Sequence, residues 1–395
     1  MINKTQTLPE GVEKAKKHIS FAAIRKINLR PYSMLIALIT IAIIFQIITE
    51  GTFLKPRNFS ILIRQMSITG ILTIGMVLLI ISGNFDLSVG SLVALSGGIA
   101  AVMQVWFGAS TPVAIVVGII VGLILGAWQG FWVAYRKLPS FIVTLGGMMM
   151  FRGIYLVITD GITITPLNPS FTYLAQGFIA QNIGLGIAAA ACLGFTIMSI
   201  RGRISKKKLG IQVESLPLLI LKIVAGNIII IAMVVWMNRY LGIPIPVIVL
   251  LILALVFNFI ATRTQFGRNL YSIGGNEEAA RFSGVKVEKT IMSMFVLMGA
   301  LSAVTGAFLT ARLDGATASA GTMFEMDAIA ACVIGGTSLS GGQGSIFLAM
   351  IGALIMASLD NGMSLMNTSS YFQYIVKGLV LIIAVWFDVS TSKKK

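Results

Sequence analysis

Five charged side chains fall inside or at the rims of otherwise apolar stretches: Arg64, Asp86, Arg152, Lys222 and Lys377. At the lipid-facing centre of a helix each would cost about 2.5–3.5 kcal/mol, so each must reach an interface, pair, or line a polar cavity. Arg64 and Lys222 lie near the ends of their stretches and are expected to snorkel. Asp86 and Arg152 are expected to face a polar path or to pair with each other, and Lys377 is the third such position. Other chemistry is thinly supplied. The single histidine, His18, lies in a polar N-terminal tail, which excludes a Ser-His-Asp triad, a histidine metal centre and most histidine acid–base catalysis. Cys192 and Cys332 sit in separate apolar runs and supply neither a disulfide framework nor a zinc site.

Two small-residue strings interrupt apolar segments in a similar way. One is Ile81-Ser82-Gly83 with Leu87-Ser88-Val89-Gly90-Ser91; the other is Ile334-Gly335-Gly336 with Gly344-Ser345. Read as a repeat of two broken helices, they free backbone groups that line a polar cavity inside a membrane. The candidates for a translocation path are Asn84, Asp86 and Ser88 at the first break and Thr337, Ser338 and Gln343 at the second, with Arg152, Asp360 and Asn361. Leu339-Ser340-Gly341-Gly342-Gln343 also spells a nucleotide-sandwiching signature. No G-x-x-x-x-G-K-[ST] loop accompanies it, and no Lys or Arg lies between Arg312 and Lys377, so a nucleotide site is not expected.

The elements that must hold these residues follow from composition. The 395 residues are 56% hydrophobic and 11% charged, with a mean hydropathy of +0.92. Soluble domains average about 25% charged residues, so disorder, a collagen-like repeat and a soluble enzyme are excluded. Lipid cannot hydrogen-bond the backbone, and alternating barrel strands are absent, so the apolar runs read as helices. The expectation is an all-α polytopic membrane protein with about ten transmembrane helices, at 33–49, 61–82, 90–107, 112–134, 140–159, 178–200, 217–238, 244–262, 291–310 and 371–388. A broken or re-entrant segment lies within 327–358. No small-residue cleavage site follows the first run, which reads as an uncleaved helix. Of the 30 Lys and Arg residues, 22 fall in the tails and alternate loops, against Lys55, Arg57, Arg239 and Arg312 in the opposite ones. By the positive-inside rule both termini are cytoplasmic, and the net charge of +16 reflects topology, with no nucleic-acid partner. The divisions are a polar cytoplasmic tail over 1–30, one transmembrane domain over 31–390 and a basic cytoplasmic tail over 391–395.

The cytoplasmic loop 263–290 holds Asn276-Glu277-Glu278-Ala279-Ala280-Arg281-Phe282-Ser283-Gly284. Asn276 is a suitable N-cap, the glutamates suit the positive first turn, and Gly284 supplies a left-handed stop. A short helix with a flat alanine face is predicted there.

The string E-A-A-x-x-x-G is similar to the coupling-loop motif of ABC importer permeases, whose helix docks in a groove of an ATPase. The chain as a whole resembles permease subunits of the ribose/xylose/arabinose/galactoside branch of ABC sugar importers, and within it the group carrying D-xylose. The resemblance rests on Ile81 to Ser91, Tyr135 to Gly146, Phe266-Gly267-Arg268, Ile273 to Gly284, Asp327 to Ser345 and Ala357 to Ser364. Asn84-Phe85 departs from the acidic or glycine residue followed by isoleucine that the family places before Asp86. The resemblance implies a multi-pass protein of a bacterial inner membrane that translocates a small sugar and carries no cofactor or metal and no catalysis of its own. Its implied partners are a cytoplasmic ABC ATPase, an extracytoplasmic sugar-binding protein and a second copy of the permease. It assigns ATPase coupling to Arg268, Asn276, Glu278, Ala279, Ala280 and Gly284. Ribose, galactose or another small sugar is the alternative within the branch; an ion-coupled secondary transporter relying on Asp86 and Asp360 is the alternative outside it.

Overall fold

A computed structural model describes residues 30–211 and 213–392. The predicted tail 1–30 apart from Arg30, with His18, and residues 393–395 lie outside the described residues. Fifteen helices follow one another among those described. In chain order they begin with α1 (Arg30–Ile48), α2 (Pro56–Ile81), α3 (Val89–Val105), α4 (Thr111–Ala134), α5 (Ser140–Thr159) and α6 (Pro169–Gln176). After the two-residue strand β1 (Phe178–Ile179) come α7 (Gln181–Lys208) and α8 (Leu216–Asn238). Strand β2 (Ile243–Pro244) pairs antiparallel with β1 and leads into α9 (Ile245–Arg263), α10 (Gln265–Gly275) and α11 (Glu277–Phe282). The chain ends with α12 (Val287–Leu313), α13 (Phe324–Ile334), α14 (Ile346–Leu365) and α15 (Ser370–Ser392).

Pro56, Pro112, Pro169, Pro217 and Pro246 stand in the first turn of α2, α4, α6, α8 and α9, where a missing N–H leaves no bond unmade. Eight helices are long and apolar enough to cross a membrane, and Met34–Ile48, Val89–Val105 and Ser370–Trp386 are shorter apolar helices. The chain is thus an all-helical polytopic membrane protein, and each of the ten predicted spans coincides with one of these helices.

The bundle is organised around α2, which is buried on nearly every side from Leu62 onward. Glycines let α4 and α12 approach closely. A methyl group at Gly122 would overlap the carbonyl of Gly299, and one at Gly126 the carbonyl of Phe295. Gly118, Gly122, Gly126 and Gly130 recur every fourth residue, so one face of α4 is a backbone-to-backbone seam of the small-xxx-small kind. By contrast, α7 and α8 stand at the periphery and pack mainly on each other, with Asn227 Nδ2 donating to Thr196 Oγ1 at 3.1 Å.

The segment predicted to be broken resolves into two unequal limbs. At 20 residues α14 is long enough to span. The 11 residues of α13 reach only about 16 Å at 1.5 Å per residue, half of a hydrocarbon core of about 30 Å. The rest of that limb is the irregular segment 314–323, packed into the bundle.

Candidate functional site

The first break begins where α2 stops. Ser82 Oγ donates to the Leu79 carbonyl at 2.7 Å, and Gly83 takes φ +80°, which turns the chain back. Asp86 then closes the turn into the returning helix: its Oδ1 accepts from Ser88 N at 2.8 Å and Ser88 Oγ at 2.6 Å. Ser88 Oγ in turn accepts from Gln129 Nε2 on α4 at 2.6 Å. Asp86 is 1% exposed and committed to this local turn. The predicted partnership with Arg152 does not form. Arg152 Nη1 instead donates to the carbonyls of Ala318 at 2.5 Å and Ala320 at 2.9 Å. A guanidinium has donors to spare, and the non-helical segment beside it has carbonyls without helical partners, so the match is chemical as well as spatial.

The second break is built on itself and on the first. Ser338 N donates to the Gln343 carbonyl at 3.0 Å, Ser338 Oγ lies 2.8 Å from Ser340 Oγ, and Gly341 and Gly342 take positive φ. Gly342 N then donates to the Ile81 carbonyl at 2.9 Å, and so the two breaks meet. The far end of α10 closes the joint. Tyr271 Oη donates to the Gly344 carbonyl at 2.9 Å, and a methyl group at Gly274 would overlap the Ile81 carbonyl. Asn84, Asp86, Ser88, Thr337, Ser338 and Gln343 therefore belong to two neighbouring breaks joined at Ile81, with Thr337 and Ser338 buried and Gln343 exposed.

The remaining path candidates are elsewhere. Asn361 on α14 exchanges amide hydrogen bonds with Asn58 at the start of α2, at 2.7 and 3.1 Å, a buried clasp. Asp360 Oδ2 lies 2.9 Å from Lys377 Nζ on α15, and Asp327 Oδ2 on α13 lies 3.0 Å from the same nitrogen. Asp327 escaped the sequence reading as a site residue. Its signal was an acid within an apolar helix, the same signal that marked Asp86. So α13 carries an ionic tether at its first turn and leads into the joint beyond its last.

Beyond the joint, α10 leads directly into the predicted short helix. Asn276 Oδ1 accepts from Ala279 N at 2.9 Å, and Gly284 takes φ +83° just past the end, as cap and stop require. Ala280 faces inward, while Glu278, Ala279 and Phe282 face outward. Phe282 is 90% exposed, and the sequence reading passed over it in favour of the alanines. Arg268 lies exposed on α10. Glu288 at the start of α12 fastens the turn, accepting from Lys137 of the α4–α5 loop at 2.9 Å and from Arg281 at 2.5 Å. Hydrogen bonds to Glu288 and Glu277 together raise the pKa of the Arg281 guanidinium. The result is an outward knob, one aromatic ring and one carboxylate on an alanine base, connected by α10 to both helix breaks.

Comparison with known proteins follows the same line. Residues 58–385 match the family described as branched-chain amino acid transport system / permease component. The xylose transport system permease protein XylH of Haemophilus influenzae is 48% identical over 371 residues, covering 94% of this chain and 99% of that protein. Its namesake in Escherichia coli strain K12 is 46% identical over 374 residues, 95% of each chain. The ribose import permease protein RbsC of Bacillus subtilis strain 168 is 38% identical over 379 residues, 96% of this chain and 98% of that one. No solved structure matches the chain.

Proposed function

The chain belongs to the branched-chain amino acid transport system / permease component family, and from that premise we propose that it is the permease subunit of a bacterial ABC importer for D-xylose. It is a transport subunit and not an enzyme. The similarity to xylose permeases at 48% and 46% identity supports xylose over ribose, whose permease is 38% identical. The single observation that carries the mechanism is the knob of Glu278, Ala279 and Phe282, exposed at one end of the molecule and joined through α10 to both breaks.

The protein sits in the inner membrane with both termini cytoplasmic, as the distribution of Lys and Arg supports. Two copies flank a central path, a sugar-binding protein delivers substrate from outside, and an ATPase grips the knob from the cytoplasm. When nucleotide moves the ATPase, α10 shifts against the Ile81–Gly342 joint, and α13 and α14 move with it between two packed arrangements. Selectivity resides mainly in the binding protein, because a path that held sugar tightly would release it slowly.

The test is reconstitution of the permease with its ATPase in liposomes, with the binding protein and labelled D-xylose outside. Uptake that needs ATP and the binding protein, and that D-xylose outcompetes D-ribose for, is expected. Uptake without ATP would overturn the importer reading, and a preference for D-ribose would overturn the sugar.

A further inference from the structure

Within the membrane-spanning bundle, segment 317–323 is irregular and partly exposed. It follows Ala316, whose backbone exchanges hydrogen bonds with Ile164, both at 3.0 Å. Ile164 belongs to the 160–168 loop, and Gln104 near the end of α3 is bonded to the same loop through Asn168 N at 3.1 Å. From that level the segment descends. Gly321 packs against Gly90 in the first turn of α3, so tightly that a methyl group on either would overlap the other's carbonyl. The helix between Gly90 and Val105 is about 22 Å long at 1.5 Å per residue, so Gly321 lies deep in the bundle. Arg152, which holds the Ala318 and Ala320 carbonyls, is itself about 10 Å below the end of α5 at Thr159.

At that depth Ser319 and Thr322 are exposed, and Thr317 and Arg152 are half-buried. The adjoining face of α5 carries Gly146, Met149, Met150 and Gly153, all exposed, with open space where side chains at the two glycines would go. Irregular backbone and a half-exposed guanidinium do not face lipid; they face protein or a water-filled cavity. Ile228 and Ile229 are exposed on the peripheral surface of α8.

We infer that Arg152, Thr317, Ser319 and Thr322 form a wall of the aqueous path and contact the hydroxyl groups of the sugar as it passes. Hydroxyl side chains both donate and accept, as sugar hydroxyls do, and the methionines offer an apolar surface for the sugar's C–H face. The array is sparse and neutral apart from one already engaged arginine, which suits passage rather than retention. The wall rests on the sugar-importer reading for its ligand, but its wetness rests on geometry alone.

The test uses the full transporter in proteoliposomes with Cys192→Ser, leaving only the buried Cys332. Ser319→Cys and Thr322→Cys are expected to react with a charged methanethiosulfonate reagent about tenfold or more faster than Ile228→Cys, in at least one nucleotide state. Ser319→Trp is expected to cut D-xylose uptake by about tenfold while the binding protein still stimulates ATP hydrolysis. Labelling no faster than Ile228→Cys in every nucleotide state, or full uptake by Ser319→Trp, would overturn the wall. Fast labelling in a transporter that carries no D-xylose would leave the wall standing and refute the sugar instead.

Discussion

Gly342 donates its backbone amide to the carbonyl of Ile81 at 2.9 Å, and that bond joins two helix breaks far apart in the chain. The last carbonyls of a helix lack intrahelical partners, and Ile81 ends α2. The second break supplies the missing donor, which needs the positive φ of Gly341 and Gly342. Gly274 presses on the same carbonyl from α10. Three elements thus meet on one peptide group, and none can shift alone.

Replacing Gly274 tests that contact. Gly274→Ala is expected to abolish ATP-driven uptake and lower the melting temperature, because its methyl group would overlap backbone. Gly275→Ala, with open space where its methyl group would go, is expected to behave like the wild type. Equal uptake by the two variants would show that the joint tolerates separation.

The ionic tether is a question of stability. Lys377 has an 11% exposed side chain and holds both Asp327 and Asp360. Removing one partner of a buried ion pair costs about 3–5 kcal/mol, since the other charge is left uncompensated. Lys377→Met is expected to destabilise the purified protein by that order, with most of the loss recovered when Asp327→Asn and Asp360→Asn are added. Thermal denaturation of the single and triple variants decides it, and an unshifted single variant would dismiss the tether.

What was legible in the sequence divides along the range of the interactions. Span positions followed from apolar runs, and the α11 cap and stop from Asn276 and Gly284, because both signals are local. The Asp86 turn was also local, an acid two residues before Ser88, yet its charge inside an apolar region drew the reading toward a distant arginine. Arg152 went to carbonyls of a non-helical segment, and backbone acceptors leave no signature in side-chain composition. Lys377 with Asp327 and Asp360 requires the rotation of three helices, which hydropathy does not encode. The glycine period on α4 was visible, but its partner Gly299 is fixed only by packing.

For Asp86 the structure changes the expected outcome of mutation. Asn keeps an oxygen that accepts from Ser88 N, so Asp86→Asn is expected to retain much of the uptake, while Asp86→Ala loses both bonds to Ser88, worth about 1.5–3 kcal/mol for a charged acceptor, and with them most activity. Neutralising Arg152 is expected to give no rescue of Asp86→Ala, since the two share no bond. Rescue by Arg152→Gln in an uptake assay would restore the pairing that the structure lacks.

The knob on α11 gives the most direct test of coupling. Phe282 is the exposed aromatic on a six-residue helix whose base is fixed by Glu288, Lys137 and Arg281. Buried aromatic anchors dominate interface energetics, with losses of about 2 kcal/mol or more on truncation to alanine. Phe282→Ala is therefore expected to weaken ATPase binding by about thirtyfold, with the permease itself still folded, because Phe282 is 90% exposed. Ala279→Glu places a charge in the middle of the same outward face and is expected to abolish uptake. Gly284→Val puts a β-branched residue at φ +83° and is expected to misplace the whole knob. Lys207→Glu, on the lysine-rich end of peripheral α7, is the control and is expected to leave coupling intact. Co-purification of the ATPase, together with ATP hydrolysis stimulated by loaded binding protein, reads all four. A Phe282→Ala variant that binds and stimulates the ATPase normally would place the docking surface elsewhere on the molecule.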